Sequence, residues 1–349
     1  MLRVRISVAK SDRTFSAAPG QSVLDAALQA GMNLPHSCKA GNCGACRGRL
    51  LRGTVEYPHG PPLGLSPAEV GEGLILLCQA RATEELLIDA VEITAPGRAT
   101  IRRLPARIER TDLLAHDVLA LFLRLPAAEP FEFEPGQYLD VMLSGGRRRS
   151  FSIASPPHQC RPLELHVRRG VGGEWTEPLF ADPARNTLLA IEGPLGGFVY
   201  RGDSDAPMVL VGGGTGLAPL KSILRHVFEN DLDREMTLYW GVRGERDLYA
   251  HAELAAWARR QRKFRYRPVL SEAGSGWSGR RGWVHQSVRD DFDSLAGHDI
   301  YVSGPPAMID AGLREFQGRG ADPQRLFFDS FDYAPDALER HRRTAATRD

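Results

Sequence analysis

Three cysteines stand close together in the stretch His36 to Arg49, H-S-C-K-A-G-N-C-G-A-C-R-G-R, as Cys38, Cys43 and Cys46 in the order C-x4-C-x2-C. A fourth, Cys78, closes an apolar run that begins at Leu74. Four thiolates in this order hold a plant-type 2Fe–2S cluster. Structural zinc usually asks for two C-x2-C pairs, and this stretch has one. Disulfides are unfavoured in a chain whose first residues carry no export signal. Gly41 and Gly44 let the loop wrap tightly, and the small Ala40 and Ala45 let backbone N–H groups approach the sulfurs. Cys160, in a polar turn rich in proline, reads as a spare thiol.

Two further stretches could hold a nucleotide. Gly212-Gly-Gly-Thr-Gly-Leu-Ala-Pro follows a short, wholly apolar strand and precedes a helical pattern, where N–H groups and a helix dipole can hold a pyrophosphate. It is neither G-x-G-x-x-G, since Leu217 takes the third glycine's place, nor a P-loop, since Lys221-Ser222 lacks the preceding glycine. Taken alone it is also compatible with a plain strand-to-helix corner. Arg149-Ser-Phe-Ser could present a cation to a phosphate, a ring to a ring and a hydroxyl to a hydrogen-bond partner. The same alternation also describes a half-exposed strand with one aromatic in the core.

Composition sets the frame. The chain has 349 residues, 42% hydrophobic and 25% charged, with a net charge of +1. That length allows two or three domains, and the near-zero charge argues against a nucleic-acid binder working by bulk electrostatics. The charged start and the lack of any apolar run near 20 residues give no signal peptide and no membrane span, so a reduced, cytoplasmic setting is expected. Residues 1–94 hold nine basic and nine acidic side chains. Lys39, Arg47, Arg49 and Arg52 crowd the cysteine loop, where they either steer an acidic partner or are simply solvated.

The elements that must carry these residues follow from periodicity. Alternation over Arg3–Ala9 and Arg13–Ser16 reads as a hairpin. Ser22 caps a helix that Gly31 ends, Ser66-Pro67 opens a short one, and Leu86–Ile93 is a closing strand. Residues 95–103 mix Pro, Gly and charge and read as a linker. Strands are expected at Ala106–Arg110, Val118–Leu125, Tyr138–Leu143, Arg149–Ile153, Leu163–Arg168 and Thr187–Ile191, a spacing that suggests a β-barrel over 104–203. From residue 204 to 335, strands at Met208–Val211, Met236–Trp240, Phe264–Leu270 and Asp299–Ser303 alternate with helical patterns, which argues a parallel α/β domain. Residues 336–349 read as a polar tail. The fold class is thus multidomain: a small α+β, β-grasp-like ferredoxin domain over 1–94, an antiparallel β-barrel and an α/β parallel-sheet domain.

With these motifs in this order, the chain resembles the ferredoxin-NADP reductase superfamily with a plant-type ferredoxin fused at its amino end, as in reductase components of bacterial multicomponent oxygenases. The subtype it looks most like is the CDP-6-deoxy-hexulose 3-dehydrase (CDP-6-deoxy-glucoseen) reductases. The resemblance implies cluster ligation by Cys38, Cys43, Cys46 and Cys78, and FAD binding by Arg149, Ser150, Phe151 and Ser152. Arg149 would hold the pyrophosphate, Phe151 would pack on the flavin and Ser152 would reach flavin N5. By the same resemblance His166, Val167 and Arg168, followed by Gly172 and Gly173, line the flavin, and Thr176 sits at the pyrophosphate. Gly213, Gly214, Thr215 and Gly216 would hold the nicotinamide nucleotide, with Thr215 near its ring. The family's C-G-P-P-x-M motif appears as Ser303-Gly304-Pro305-Pro-Ala-Met, with Ser303 where a cysteine usually stands, and the terminal aromatic by the flavin corresponds to Phe331.

A 2′-phosphate calls for a nearby Arg or Lys. Glu272 follows the strand ending at Leu270, where phosphate-binding relatives carry arginine, so NADH is the expected donor; Arg243 keeps NADPH open. The implied function is an oxidoreductase that passes electrons from NADH through FAD and the 2Fe–2S cluster to a separate partner, either an iron–sulfur deoxysugar dehydratase or an oxygenase or hydroxylase component. The alternative is a redox-sensing or docking module whose hydride-transfer site has decayed, which the serine at 303 would favour.

Overall fold

In Val4-Arg-Ile-Ser-Val the apolar residues alternate, and in the computed structural model this segment is β1 (Val4–Val8), with Ile6 and Val8 buried and Arg5 exposed. The model describes residues 3–9, 11, 13–36, 39, 41, 44–58, 60–62, 64–90, 100–170, 175–181 and 187–331. β1 pairs antiparallel with β2 (Arg13–Ala17), Ile6 opposite Phe15. α1 (Val23–Gln29) starts as expected: the Ser22 hydroxyl accepts from the Asp25 N–H, and Val23, Leu24, Ala27 and Leu28 are buried. β3 (Arg47–Arg52), unanticipated because it reads as charged, lies between two strands. β4 (Val55–Glu56) pairs with β6 (Arg81–Ala82) as a small separate ladder. α2 (Pro67–Gly71) carries a full capping box between Ser66 and Glu69. β5 (Leu74–Leu76) and β7 (Leu86–Asp89) complete a sheet of order β2-β1-β7-β3-β5 in which β1 and β7 run parallel. This mixed sheet with α1 and the short α2 is the β-grasp arrangement expected.

The second unit begins with a six-stranded antiparallel sheet. β8 (Arg102–Ala115) starts inside the stretch expected to be linker; residues 95–99 lie outside the described residues. β9 (Val118–Arg124), β10 (Tyr138–Met142), β11 (Arg148–Ser152) and β12 (Leu163–Arg168) follow, then α3 (Thr176–Ala181) and β13 (Leu188–Leu195). The order is β11-β10-β13-β8-β9-β12, and a bridge between Ile153 and Leu165 brings its two edges together, closing the barrel. Leu121, Leu139, Val141, Ile153, Leu163, Leu165 and Val167 fill it.

The rest of the unit is a parallel sheet of order β17-β16-β15-β14-β18-β19. It comprises β14 (Met208–Gly213), β15 (Met236–Val242), β16 (Phe264–Leu270), β17 (Arg280–Arg281), β18 (Asp299–Gly304) and β19 (Leu326–Ser330). Every residue of β14 is buried, because helices cover both faces. Met208 and Leu210 pack with α4 (Leu217–Glu229) and α5 (His251–Arg260). Val209 and Val211 pack with α6 (Val284–Asp291) and α7 (Pro306–Gly318). α6 and β19 were not anticipated: α6 is polar over most of its length, and β19 follows the last recognised motif.

Candidate functional site: a thiolate loop and a crevice between barrel and parallel sheet

In the amino-terminal unit Cys46 and Cys78 are 3% and 5% exposed, and neither is in a disulfide. Cys38 and Cys43 lie outside the described residues. The pairing of β3 with β5 sets the backbone just before Cys78 against that of Cys46: the Leu77 N–H donates to the Cys46 carbonyl at 3.0 Å. The Gln79 side-chain amide donates to the Lys39 carbonyl at 2.8 Å and lies 3.9 Å from Cys78 Sγ. Two buried sulfurs with an N–H donor beside one of them suit a thiolate-held cluster.

The basic residues of the loop are not all free to meet a partner. Arg47 donates to the carbonyls of Gly44 (3.2 Å) and Gly64 (2.7 Å) and pairs with Glu69 at 3.0 Å. Gly44 has φ of +72°, a left-handed backbone that favours glycine at this point of the loop. Arg49 donates to the Glu72 carbonyl. Arg52 is exposed. Cys160 is half-buried against the barrel, and burial pushes its thiol up.

In the second unit the motifs converge. β14 lies between β15 and β18, so the strand order reverses there, and a crevice beyond the carboxyl ends of strands at such a point is where open α/β sheets bind ligands. The turn Gly213–Gly216 leaves β14 at that place and Ser303–Pro305 leaves β18 beside it. Gly212 pairs with Ser303 in register. Gly214 has φ of +55°. The N–H groups of the turn lead into α4, a thirteen-residue helix, and the Thr215 side chain is partly exposed there. Ser303 is fully buried, and its hydroxyl has no hydrogen-bond partner among the described residues. A polar atom left so in a native fold is one a bound group can satisfy.

The barrel meets this crevice through β11. Ser152 Oγ donates to Asp329 on β19 at 3.2 Å, and Asp329 stands next to Ser303 in the sheet register. Asp329 was not anticipated; the acidic residue two places before Phe331 is the only sequence signal that could have marked it. The Phe331 N–H donates to the Gly304 carbonyl at 3.3 Å. Along β11, Arg149 and Phe151 are half-buried and Ser150 is exposed. Ser150 Oγ donates to the buried Asp140 at 2.6 Å, and Phe151 lies 5.3 Å from the Trp175 ring. Gly172 and Gly173 lie outside the described residues. Thr176 Oγ1 accepts from the Gly170 N–H at 3.1 Å.

On β12 the apolar Leu163, Leu165 and Val167 turn into the barrel, and Glu164, His166 and Arg168 turn outward toward the parallel-sheet domain. Both ring nitrogens of His166 are engaged, with Glu164 Oε1 and with the Tyr249 hydroxyl, each at 3.0 Å. That leaves no ring nitrogen of His166 for a flavin. Burial, with the Lys221 charge adding to it and the Glu164 contact opposing, holds the imidazole below its ordinary pKa. A carboxylate only accepts, so Nε2 donates to Glu164. Arg168 pairs with Asp117 at 2.9 Å, and its guanidinium stands over Gly214.

At the far end of β16, Glu272 and Arg243 are both exposed, and the Glu272 N–H donates to the Arg243 carbonyl at 2.8 Å. The neighbouring arginines are spent. Arg281 donates to the carbonyls of Ala273, Gly274 and Trp277 at 3.1, 3.0 and 2.7 Å, and Arg280 pairs with Asp291.

Comparison with known proteins gives this arrangement its class. Residues 6–83 match the 2Fe-2S iron-sulfur cluster binding domain, 105–200 the oxidoreductase FAD-binding domain and 210–313 the oxidoreductase NAD-binding domain. The chain is 32% identical over 331 residues to CDP-6-deoxy-L-threo-D-glycero-4-hexulose-3-dehydrase reductase of Yersinia pestis, covering 95% of this chain and 99% of that one. It is 33% identical over 332 residues to terephthalate 1,2-dioxygenase, reductase component 1, of Comamonas sp, covering 95% and 98%. The crystal structure of the Amycolatopsis cytochrome P450 reductase GcoB superposes with a TM-score of 0.80 at 36% identity, covering 95% of this chain and all of that one. The molecule is an oxidoreductase of the ferredoxin-reductase type. The chain belongs to the family of electron-transfer reductases that join a 2Fe–2S domain to FAD-binding and NAD-binding domains, as the sequence led us to expect. No described helix is long and apolar enough to cross a membrane.

Proposed function

We propose that this chain takes electrons from NADH and delivers them, through FAD and a 2Fe–2S cluster, to a separate cytoplasmic partner. Its relatives in Yersinia pestis and Comamonas are named for a deoxysugar dehydrase and a dioxygenase, and a partner of either kind fits the same internal machinery. The observation that carries the reading is the meeting of three separated motifs at one crevice: Ser152 from the barrel, Gly213–Gly216 after β14, and Ser303 with Asp329 from the strands beside it. FAD bound there supplies the exchange between two-electron and one-electron chemistry, and the cluster supplies a one-electron carrier.

The chain's own residues hold and orient. Arg149 offers its charge to the flavin pyrophosphate, with Ser150 and Thr176 beside it, and Phe151 offers a ring face. Ser152 offers a hydroxyl at the reacting edge. His166 and Val167 contribute through their place on β12, and Gly172 and Gly173 complete the segment after it. Gly213, Gly214 and Gly216 present backbone N–H groups to the nucleotide, Thr215 and Ser303 offer hydroxyls near its ring, and Gly304 and Pro305 keep the opposite wall low. Phe331 covers the flavin side. Cys38, Cys43, Cys46 and Cys78 ligate the cluster.

NADH rather than NADPH is favoured because an exposed carboxylate, Glu272, stands at the end of β16 while Arg280 and Arg281 are engaged elsewhere. Arg243 is an exposed guanidinium beside Glu272 that could serve a 2′-phosphate. An anaerobic absorbance titration with each nucleotide tests the reading. Bleaching of flavin and cluster bands by NADH, with about three electrons taken up per chain, is expected. A protein that carries both chromophores and is reduced by neither nucleotide would sink it.

A further inference from the structure

We propose that Glu164, His166, Lys221 and Tyr249 form a joint that fixes the distance between the glycine-rich turn and the barrel, and that Lys221 and Tyr249 are positioning residues for hydride transfer. This rests on the reading that the turn carries the nicotinamide nucleotide.

Three successive outward side chains of β12 each meet a different piece of the parallel-sheet domain. Glu164 accepts from Lys221 on α4 at 3.0 Å. His166 meets the Tyr249 hydroxyl just before α5. Arg168 stands over Gly214. Lys221 is 8% exposed and reaches a second carboxylate, Glu253 of α5, at 3.2 Å. It begins the second turn of the helix that the glycine-rich turn opens, yet its ammonium is directed to the barrel. That is why its nearness to the glycines in sequence does not make a phosphate-binding lysine.

A second path leads from the joint back to the turn. The Tyr249 ring packs edge-on against Trp240 with centroids 4.9 Å apart, and Trp240 Nε1 donates to the Gly214 carbonyl at 2.9 Å. Gly214 is thus hydrogen-bonded to Trp240 and lies close to the Arg168 guanidinium, and both are tied to β12. Domain interfaces within a chain move by default. A buried ammonium between two carboxylates resists sliding, because any shift leaves a charge unpaired away from water. The reaction would be unchanged by this: with both groups bound, the nicotinamide nucleotide would supply a hydride, two electrons with one proton, to the flavin, while the chain's residues only hold the turn and the barrel in register. The joint sets how closely the two rings are brought, and rates fall steeply with misplacement of about 1 Å.

The test uses the flavin- and cluster-loaded protein as wild type, Lys221→Met, Lys221→Arg and Tyr249→Phe. Stopped-flow reduction gives the limiting rate and the apparent nucleotide Kd, 4-deuterated NADH gives the isotope effect, and hydrogen exchange reports on residues 213–217. Lys221→Met and Tyr249→Phe are expected to lower the limiting rate about tenfold while Kd moves less than about twofold. Exchange in 213–217 should quicken, and Lys221→Arg should recover most of the rate. Limiting rates within about twofold of wild type, with exchange unchanged, would overturn the joint. So would a Kd that rises in step with the loss of rate, since that marks lost binding rather than lost positioning. Should Lys221→Met fail to fold, Tyr249→Phe, which deletes one hydroxyl, decides. Wild type that exchanges normally but is reduced by neither nucleotide strikes the underlying reading, and the exchange data then still judge the joint.

Discussion

The carbonyl oxygen of Ser303 occupies the space that a side chain on Gly216 would need: a Cβ built there falls 2.1 Å away. The turn after β14 and the end of β18 are therefore in backbone contact, and Gly216 is what permits it. Gly216→Ala must push the turn out of the crevice. The expected result is a rise in nucleotide KM of tenfold or more, about 1.4 kcal/mol or above. The flavin should stay bound, read by its absorbance after gel filtration.

Cys46 and Cys78 are expected to be cluster ligands. Cys46→Ser or Cys78→Ser should lose iron and acid-labile sulfide and the reduced-state electron paramagnetic resonance signal. Flavin reduction by nucleotide should persist, while reduction of a one-electron acceptor that depends on the cluster falls by roughly two orders of magnitude. Full iron content in either variant would remove that cysteine from the ligand set.

Arg47 ties Gly44 to Gly64 and to Glu69. Glu69 sits below the usual carboxylate range, first because the Ser66 N–H and hydroxyl donate to it, with the Arg47 charge helping. Arg47→Ala should leave the fold intact and speed loss of the cluster to a chelator several-fold, measured by the decay of its visible absorbance. An unchanged decay would reduce Arg47 to a surface charge.

Selectivity should follow Glu272. Glu272→Arg is expected to raise kcat/KM for NADPH about tenfold or more and to lower that for NADH, since a carboxylate repels a 2′-phosphate and a guanidinium pairs with it. If the ratio stays put, nucleotide choice lies elsewhere, with Arg243 the next residue to change.

The joint predicts an acid limit. Burial alone would raise the Glu164 carboxyl, but the His166 hydrogen bond and the Lys221 charge outweigh it and lower the pKa to about 2. Its folded pKa lies below the unfolded value of 4.5. The pair therefore contributes fully above pH 4.5, and the contribution is lost as pH falls toward 2, on the order of 3 kcal/mol in all. His166 acts in the same direction: burial holds its pKa below the unfolded value, so on acidification the unfolded chain takes up that proton before the folded one. Melting temperature followed from pH 7 to 3 should drop more shallowly in Glu164→Gln than in wild type. Parallel curves would show that the pair carries no such linkage.

Much of this protein was legible along the chain because its chemistry is local. The Cys38–Cys46 spacing, the glycines between strand and helix, and the R-S-F-S alternation each sit within a dozen residues, while alternation marks β12 and the start of β16 and an unbroken apolar run marks the buried β14. The sequence by itself thus determined the three kinds of domain and the cofactor classes, since backbone turns and thiolate loops impose residue types at fixed spacing. It was silent on β3, α6 and β19, whose composition is overridden by pairing and packing partners far away in sequence. Only the tertiary structure decided that Asp329 stands between Ser152 and Ser303, that Arg47 and Arg281 are staples rather than ligands, and that Lys221 faces the barrel. Each of these is settled by which side chain satisfies a buried charge or an open carbonyl across elements up to 177 residues apart, a pairing that no local pattern encodes.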